Sequence, residues 1–135
     1  MSTKDITIVI TSFNSDEIIK NCLNSIDDKC KVIVVENSSN LEFKKKVERD
    51  FKNVECVLSG ANYGYGKANN IGLKKVKTKY ALILNPDTVL ENKAIDNFFE
   101  TTKIIPEFSI IGPHIQEKHK EESIIKNKSP LLVNN

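Results

Sequence analysis

A chain of 135 residues, 39% hydrophobic and 28% charged, reads as one ordinary soluble domain, long enough to bury a core without staples and too apolar for wholesale disorder. A net charge of +2, with lysines spread through helical and loop stretches, excludes a strong polyanion binder, so nucleic acid is not an expected partner. The three cysteines, Cys22, Cys30 and Cys56, form an odd set without metal-type spacing, which predicts buried free thiols in a reducing cytoplasm. The first apolar run, Ile6 to Ile10, is too short for a signal or a span, so neither secretion by that route nor a transmembrane segment is expected.

Ile6-Thr7-Ile8-Val9-Ile10 is β-branched and nearly all apolar, as a strand buried on both faces should be. Thr11-Ser12-Phe13-Asn14 reads as the polar loop after it. Asn14 with Glu17 then forms a capping-box-like start for a helix carrying Ile18, Ile19, Cys22, Leu23 and Ile26. The unit repeats with strand Val32 to Val35, loop Glu36-Asn37-Ser38-Ser39, and a helix capped by Ser39 with Glu42 and carrying Phe43, Val47 and Phe51. Strand three is Val54 to Leu58. The loop from Gly60 to Gly66 follows, then a helix from about Lys67 to Val76.

Strand four, Tyr80 to Leu84, runs into Asn85-Pro86-Asp87. Pro86 cannot continue a ladder and biases Asn85 toward an extended conformation, so Asp87 is presented just beyond the strand end. Ala94, Ile95, Phe98 and Phe99 mark another amphipathic helix, closed off before Pro106, and a short strand over Phe108 to Ile111 is expected before Gly112-Pro113. From Gln116 the pattern stops, and the polar stretch that follows reads as an exposed helix or loose tail. The apolar Leu131-Leu132-Val133 near the end suggests more chain, a second copy or a partner subunit.

Alternation this regular predicts an α/β fold, a mostly parallel sheet with helices on both faces. With strand order 3-2-1-4, strands one and four are neighbours and the order reverses between Asn14 and Asp87. Open sheets bind ligands at that point, outside the carboxyl ends of the strands.

Four stretches together resemble, in order and spacing, the nucleotide-binding half of family 2 glycosyltransferases, most of all the rhamnosyltransferase-like members. They are Ile6 to Asn14 with the Cys22-Leu23-Asn24-Ser25-Ile26 helix, Val34 to Ser39, Asn62-Tyr63-Gly64 running into Ala68-Asn69-Asn70-Ile71-Gly72, and Leu84 to Asp87. The resemblance covers about residues 5 to 115 and implies a GT-A, Rossmann-like fold truncated before the acceptor-binding half. It divides the chain into a nucleotide-sugar-binding domain over 1–115 and a polar tail, or the start of an absent half, over 116–135.

The family transfers a sugar from a nucleoside diphosphate sugar, and the resemblance implies a UDP- or dTDP-linked donor and a role in cell-surface polysaccharide synthesis. It assigns nucleotide binding to Thr11, Ser12, Phe13 and Asn14 of the first loop and to Glu36, Asn37 and Ser38 of the second. From the third it takes Asn62, Gly64, Lys67 and Ala68, and from the fourth Asn85, Pro86 and Asp87. Glu36 stands where the family usually has the Asp that selects a pyrimidine imide, although a solvated loop glutamate is the other reading. Asp87 matches the last acid of the Asp-x-Asp motif and so is the implied ligand of Mg²⁺ or Mn²⁺, with Asn85 where the first acid often stands; a capping or turn aspartate suits Asn-Pro-Asp equally well.

Other features carry less. Gly64-Tyr65-Gly66 has Asn69 rather than glycine three residues further on, so the dinucleotide fingerprint fails. Tyr63 and Tyr65 either line the pocket or simply pack. His114 and His119 lack metal spacing, and Glu117, Glu121 and Glu122 match no motif, so no catalytic base is assigned. A nucleotidyltransferase would begin with a glycine-rich loop that Thr11-Ser12-Phe13-Asn14 lacks. The competing class is a non-catalytic nucleotide-sugar-binding module or remnant acting with a partner subunit. Either protein would be cytoplasmic, or peripheral to the membrane.

Overall fold

The computed structural model describes residues 3–113 of the chain. The expected polar tail, both histidines and the apolar Leu131-Leu132-Val133 lie outside them, as does the start of the second expected segment at 116. After a short 3₁₀ turn, strands β1 (Ile6–Ser12), β2 (Lys31–Glu36), β3 (Val54–Leu58) and β4 (Tyr80–Leu84) alternate with helices α1 (Ile18–Asn24), α2 (Leu41–Asp50) and α3 (Tyr65–Leu73). All pairings are parallel and the order is β3-β2-β1-β4, as the alternation predicts.

Register places Val9 beside Ile33 and Ile83, and Ser12 beside Glu36. The two central strands are the core: every residue of β1 is buried, and so are Val32 to Glu36 of β2. Right-handed crossovers put α1 and α2 on one face of the sheet and α3 on the other, because the chain walks outward to β3 and then crosses back to β4. On the α3 face, Ala68 packs against Ile33 and Val35. Gly72 lets α3 come closer still, since a Cβ there would lie 2.5 Å from Val9 Cγ1 and 3.0 Å from Val35 Cγ2.

Side chains alternate along a strand, so Ser12 and Glu36 face the other way, toward α1 and α2. On that side α2 also covers the outer edge of β3. Glu48 Oε1 accepts the Cys56 amide at 2.8 Å, and Lys44, paired to Glu48 at 2.8 Å, donates to the Cys56 carbonyl. Both edge groups of Cys56 are thereby occupied by side chains, which blunts the edge against a further strand. The Lys44 ammonium and the Cys56 amide both lower the pKa of Glu48.

Several local expectations need correction. Thr11 and Ser12 are not loop but the last residues of β1, continued because Asn37 N–H donates to Ser12 O at 2.7 Å and carries the ladder past the apolar run. Asn14 does not cap α1. It turns the chain in the left-handed region at φ 52°, which an asparagine tolerates, and α1 begins after Glu17 without a side-chain cap. The cap of α2 is Asn40 rather than Ser39, with its Oδ1 accepting Phe43 N–H at 3.0 Å. Helix α3 starts at Tyr65, two residues before expectation, since Gly64 at φ 82° makes the turn into it.

The chain divides into two compact units, Met1–Ile95 and Asp96–Asn135. The first holds the sheet. Helix α4 (Ala94–Ile104) lies in the second from Asp96 onward, with the Thr101 and Thr102 hydroxyls bonded back to the Asn97 and Phe99 carbonyls. The strand expected over Phe108 to Ile111 is absent among the described residues. A strand needs a partner's ladder, and three apolar residues, Phe108, Ile110 and Ile111, between Pro106 and Gly112-Pro113 bring only propensity.

Candidate functional site

At the carboxyl ends of β1 and β4, where strand order reverses, an open cleft of about 450 Å³ enters the first unit. Its size falls within the usual range for small-molecule sites. Thr11, Phe13, Ser15 and Ile18 line it from the β1 end, Asn37, Asn62 and Tyr65 from the second and third loops, and Asn85, Pro86 and Asp87 from the fourth. All four loops that follow the strands thus converge, as their placement after apolar strands predicts.

The first loop presents Phe13 at 47% exposure, while Thr11 is buried and donates its hydroxyl to Asn69 Oδ1 at 2.7 Å. That bond ties the end of β1 to α3. Asn14 is exposed and does not line the cleft.

The second loop is more closed than its polar sequence implies. Asn37 is 2% exposed and its amide is saturated. Oδ1 accepts Tyr63 N–H at 3.1 Å and lies 3.2 Å from the Ser59 hydroxyl, while Nδ2 donates to Asn62 Oδ1 at 2.9 Å and Gly64 O at 3.5 Å. Asn62 Oδ1 in turn accepts Gly64 N–H at 3.0 Å. Backbone bonds from Ser59 to Glu36 and from Gly60 to Ser38, both 3.0 Å, extend the β2 and β3 ladder under this network.

Glu36 is buried rather than solvated, at 1% exposure, with Oε1 accepting the Ser38 hydroxyl at 2.7 Å. Its Oε2 and the hydroxyl of Ser12 are buried without a hydrogen-bond partner among the described residues. A carboxylate oxygen left open in the interior is costly unless something donates to it. Ala68 offers a ligand no surface, since it is fully buried in the α3 packing. Lys67 also stands apart: its ammonium sits 4.3 Å from the Tyr63 ring centroid, and it lines a separate surface hollow with Asn70 and Lys74.

The fourth loop carries Asp87 into the cleft as an exposed carboxylate. Asn85 Oδ1 accepts the Tyr65 hydroxyl at 2.5 Å, so α3 reaches across to the end of β4. The Asn85 carbonyl accepts Thr88 N–H at 3.1 Å and the Cys22 thiol at 3.6 Å. Burial, with the nearby Asp87 charge adding to it, pushes the Cys22 thiol up to about 11, so it stays protonated and able to donate. All three cysteines are buried and in no disulfide, as their apolar neighbourhoods predict, and burial pushes Cys56 up to about 12.

Among the described residues no group of three or more His, Cys, Asp or Glu side chains could cage a metal. A lone exposed carboxylate does fit a hard cation that arrives with phosphate oxygens and waters as its other ligands, the common arrangement for Mg²⁺.

Ser15, Ile18, Ser59 and Asn69 were not among the expected site residues. Asn69 alone carries a sequence signal, being an amide on the buried side of α3 between Ala68 and Gly72, where a polar group needs an internal partner. No helix of the described residues is long and apolar enough to cross a membrane.

A parallel sheet with a cleft at its reversal point, walled by strand-end loops, defines a Rossmann-like α/β domain. The model of glycosyl transferase family 2 matches residues 7–128, and the chain belongs to that family. It is 32% identical over 130 residues to the low-salt glycan biosynthesis hexosyltransferase Agl10 of Haloferax volcanii, covering 93% of this chain and 40% of that protein. With the rhamnosyltransferase WbbL of Escherichia coli it shares 33% identity over 95 residues, 63% of this chain and 35% of the relative. Among solved structures, Staphylococcus aureus TarS residues 1–349 in complex with UDP-GlcNAc superposes with a TM-score of 0.65 at 17% identity, covering 84% of this chain and 37% of that one. The fold is therefore that of the GT-A glycosyltransferases, and the chain spans about two fifths or less of the length of these relatives.

Proposed function

We propose that this chain is the donor-binding portion of a glycosyltransferase of cell-surface glycan synthesis, and that its cleft holds a nucleoside diphosphate sugar. The observation that carries the reading is the placement of Asp87, an exposed carboxylate on the wall of a 450 Å³ cleft at the strand-order reversal of a family 2 fold. The relatives are named for hexosyl and rhamnosyl transfer and, in Staphylococcus epidermidis, for teichoic acid polymerisation. Transfer itself is proposed for the whole protein of which such a domain forms part.

Each wall has its own task. Phe13 and Tyr65, both about half exposed at the cleft, offer flat apolar surface to a base or sugar ring. The open Oε2 of Glu36 supports the reading that a pyrimidine imide N–H is recognised at this end of the sheet. Asp87 would hold Mg²⁺ or Mn²⁺ together with the diphosphate oxygens, and that ion, when bound, stabilises the negative charge growing on the leaving diphosphate. Asn85, its side-chain oxygen already occupied by Tyr65, orients the turn.

Calorimetric titration of UDP, dTDP and GDP, with and without Mn²⁺, tests the reading. UDP or dTDP is expected to bind more tightly than GDP and to gain affinity from the metal, and Asp87→Ala is expected to abolish that gain. Equal, metal-independent binding of all three would overturn it. Binding of a labelled UDP-sugar without transfer or hydrolysis would assign this chain to the non-catalytic class.

A further inference from the structure

We propose that Cys22 and Ser25 of the α1 segment are positioning residues that fix the turn bearing Asp87; the proposal rests on the donor-binding reading above. Strand β4 cannot fix that turn alone. Its ladder to β1 ends at the pair Ile10 and Leu84, and Pro86 has no N–H to extend it. The chain from Asn85 to Leu90 is instead gripped from the side at both ends. At one end the Cys22 thiol donates to the Asn85 carbonyl at 3.6 Å. At the other, Leu90 N–H donates to the Ser25 hydroxyl at 2.9 Å, and the same hydroxyl donates to the Cys22 carbonyl at 2.6 Å. Asp87 lies between the two grips.

The holder is itself anchored. Cys22 is fully buried, with Ile19 and Leu23 on the same buried face of α1, so the thiol and the serine are presented from the core rather than from a loop. Ser25, the C-cap of α1, donates its own N–H to Cys22 O at 3.1 Å, which orients its hydroxyl toward residue 90. One hydroxyl therefore closes the helix end and receives the turn. A carboxylate meant to share a small hard cation with a diphosphate needs such placement, because affinity falls when a ligand must first be ordered.

The test uses the full chain and two readouts, amide hydrogen exchange at Leu90 and the gain in UDP affinity on adding Mn²⁺. Ser25→Ala is expected to speed Leu90 exchange about tenfold, the equivalent of one net hydrogen bond, and to cut the Mn²⁺-dependent gain about threefold to tenfold, with metal-free UDP affinity unchanged. Ser25→Thr, which keeps the hydroxyl, is expected to restore both. Cys22→Ala supplies an independent arm, with a loss of the Mn²⁺-dependent gain in the same direction while the serine stays in place. Faster Leu90 exchange with an undiminished metal gain would reduce Ser25 to a purely structural cap and overturn the proposal, as would unchanged exchange. If Asp87→Ala itself keeps the metal gain while Leu90 stays protected, the reading of Asp87 has failed rather than the grip, and the positioning role falls with it.

Discussion

One asparagine organises the wall of the cleft between β2 and α3, whereas the wall at the end of β4 hangs from a helix that is remote in sequence. Asn37 uses its whole side-chain amide to hold the segment from Ser59 to Gly64, and the ladder of β2 and β3 runs on beneath it. The Asn85 to Leu90 segment has no such hub. Contacts from Cys22 and Ser25 hold it, with Tyr65 reaching over from the opposite wall. The saturated wall has little freedom to adjust. The β4 wall carries the exposed carboxylate, whose placement depends on those few side-chain contacts.

Removing the hub should separate the two walls most sharply. Asn37→Ala deletes four part-buried hydrogen bonds, to Ser59, Asn62, Tyr63 and Gly64, and at ~0.5–1 kcal/mol each their loss costs about 2–4 kcal/mol. Urea unfolding is expected to show that loss. Hydrogen exchange is expected to show deprotection over residues 59–64 while Thr88 and Leu90 stay protected. Deprotection of both segments together would mean that the walls form one cooperative unit, contrary to the comparison.

How much of this is legible in the sequence follows from the range of each interaction. The bounds of β3 and β4 and the strand order follow from periodicity and right-handed crossovers, because those signals are local or topological. Asn37 reads as a loop amide, since its partners lie 22 to 27 residues away. The partners of Cys22 and Ser25 are 63 and 65 residues distant, so the helical pattern labels the first simply apolar and the second neutral. Glu36 reads either as a base-selecting acceptor or as a solvated loop acid, and register removes the second by turning it toward the α1 and α2 face and burying it. Polar residues whose partners come from another loop are the ones a periodic reading misplaces.

A second perturbation acts on the first wall from below. Gly72→Ala sets a methyl 2.5 Å from Val9 Cγ1, too close for either side to keep its place, and overpacking of this kind costs about 1–3 kcal/mol. Because α3 carries Asn69 to Thr11 and Tyr65 to the cleft, its displacement is expected to weaken nucleotide binding as well as lower the unfolding midpoint. Val9→Ala in the same chain makes room for the methyl, so the double variant should lose less than the sum of the singles. Additive losses would show that the methyl is accommodated elsewhere and that the closeness of α3 does not set the first wall.

The smallest change probes a hydrogen bond that joins the walls. Tyr65→Phe removes the hydroxyl from Asn85 Oδ1 and leaves the ring, and for so exposed a bond the loss of stability is expected to stay below about 1 kcal/mol. The deciding measurement is exchange at Thr88, whose N–H reports the Asn85 turn directly through its bond to the Asn85 carbonyl at 3.1 Å. If α1 holds the turn, Thr88 keeps its protection without Tyr65, and the hydroxyl only couples the walls across the cleft. Loss of protection would place the support of the Asp87 turn on α3 instead, and both walls would then depend on the same helix. That outcome would erase the distinction between them, since Gly72→Ala and Tyr65→Phe would each disturb Asp87 through one element, and α1 would be left with a packing role alone.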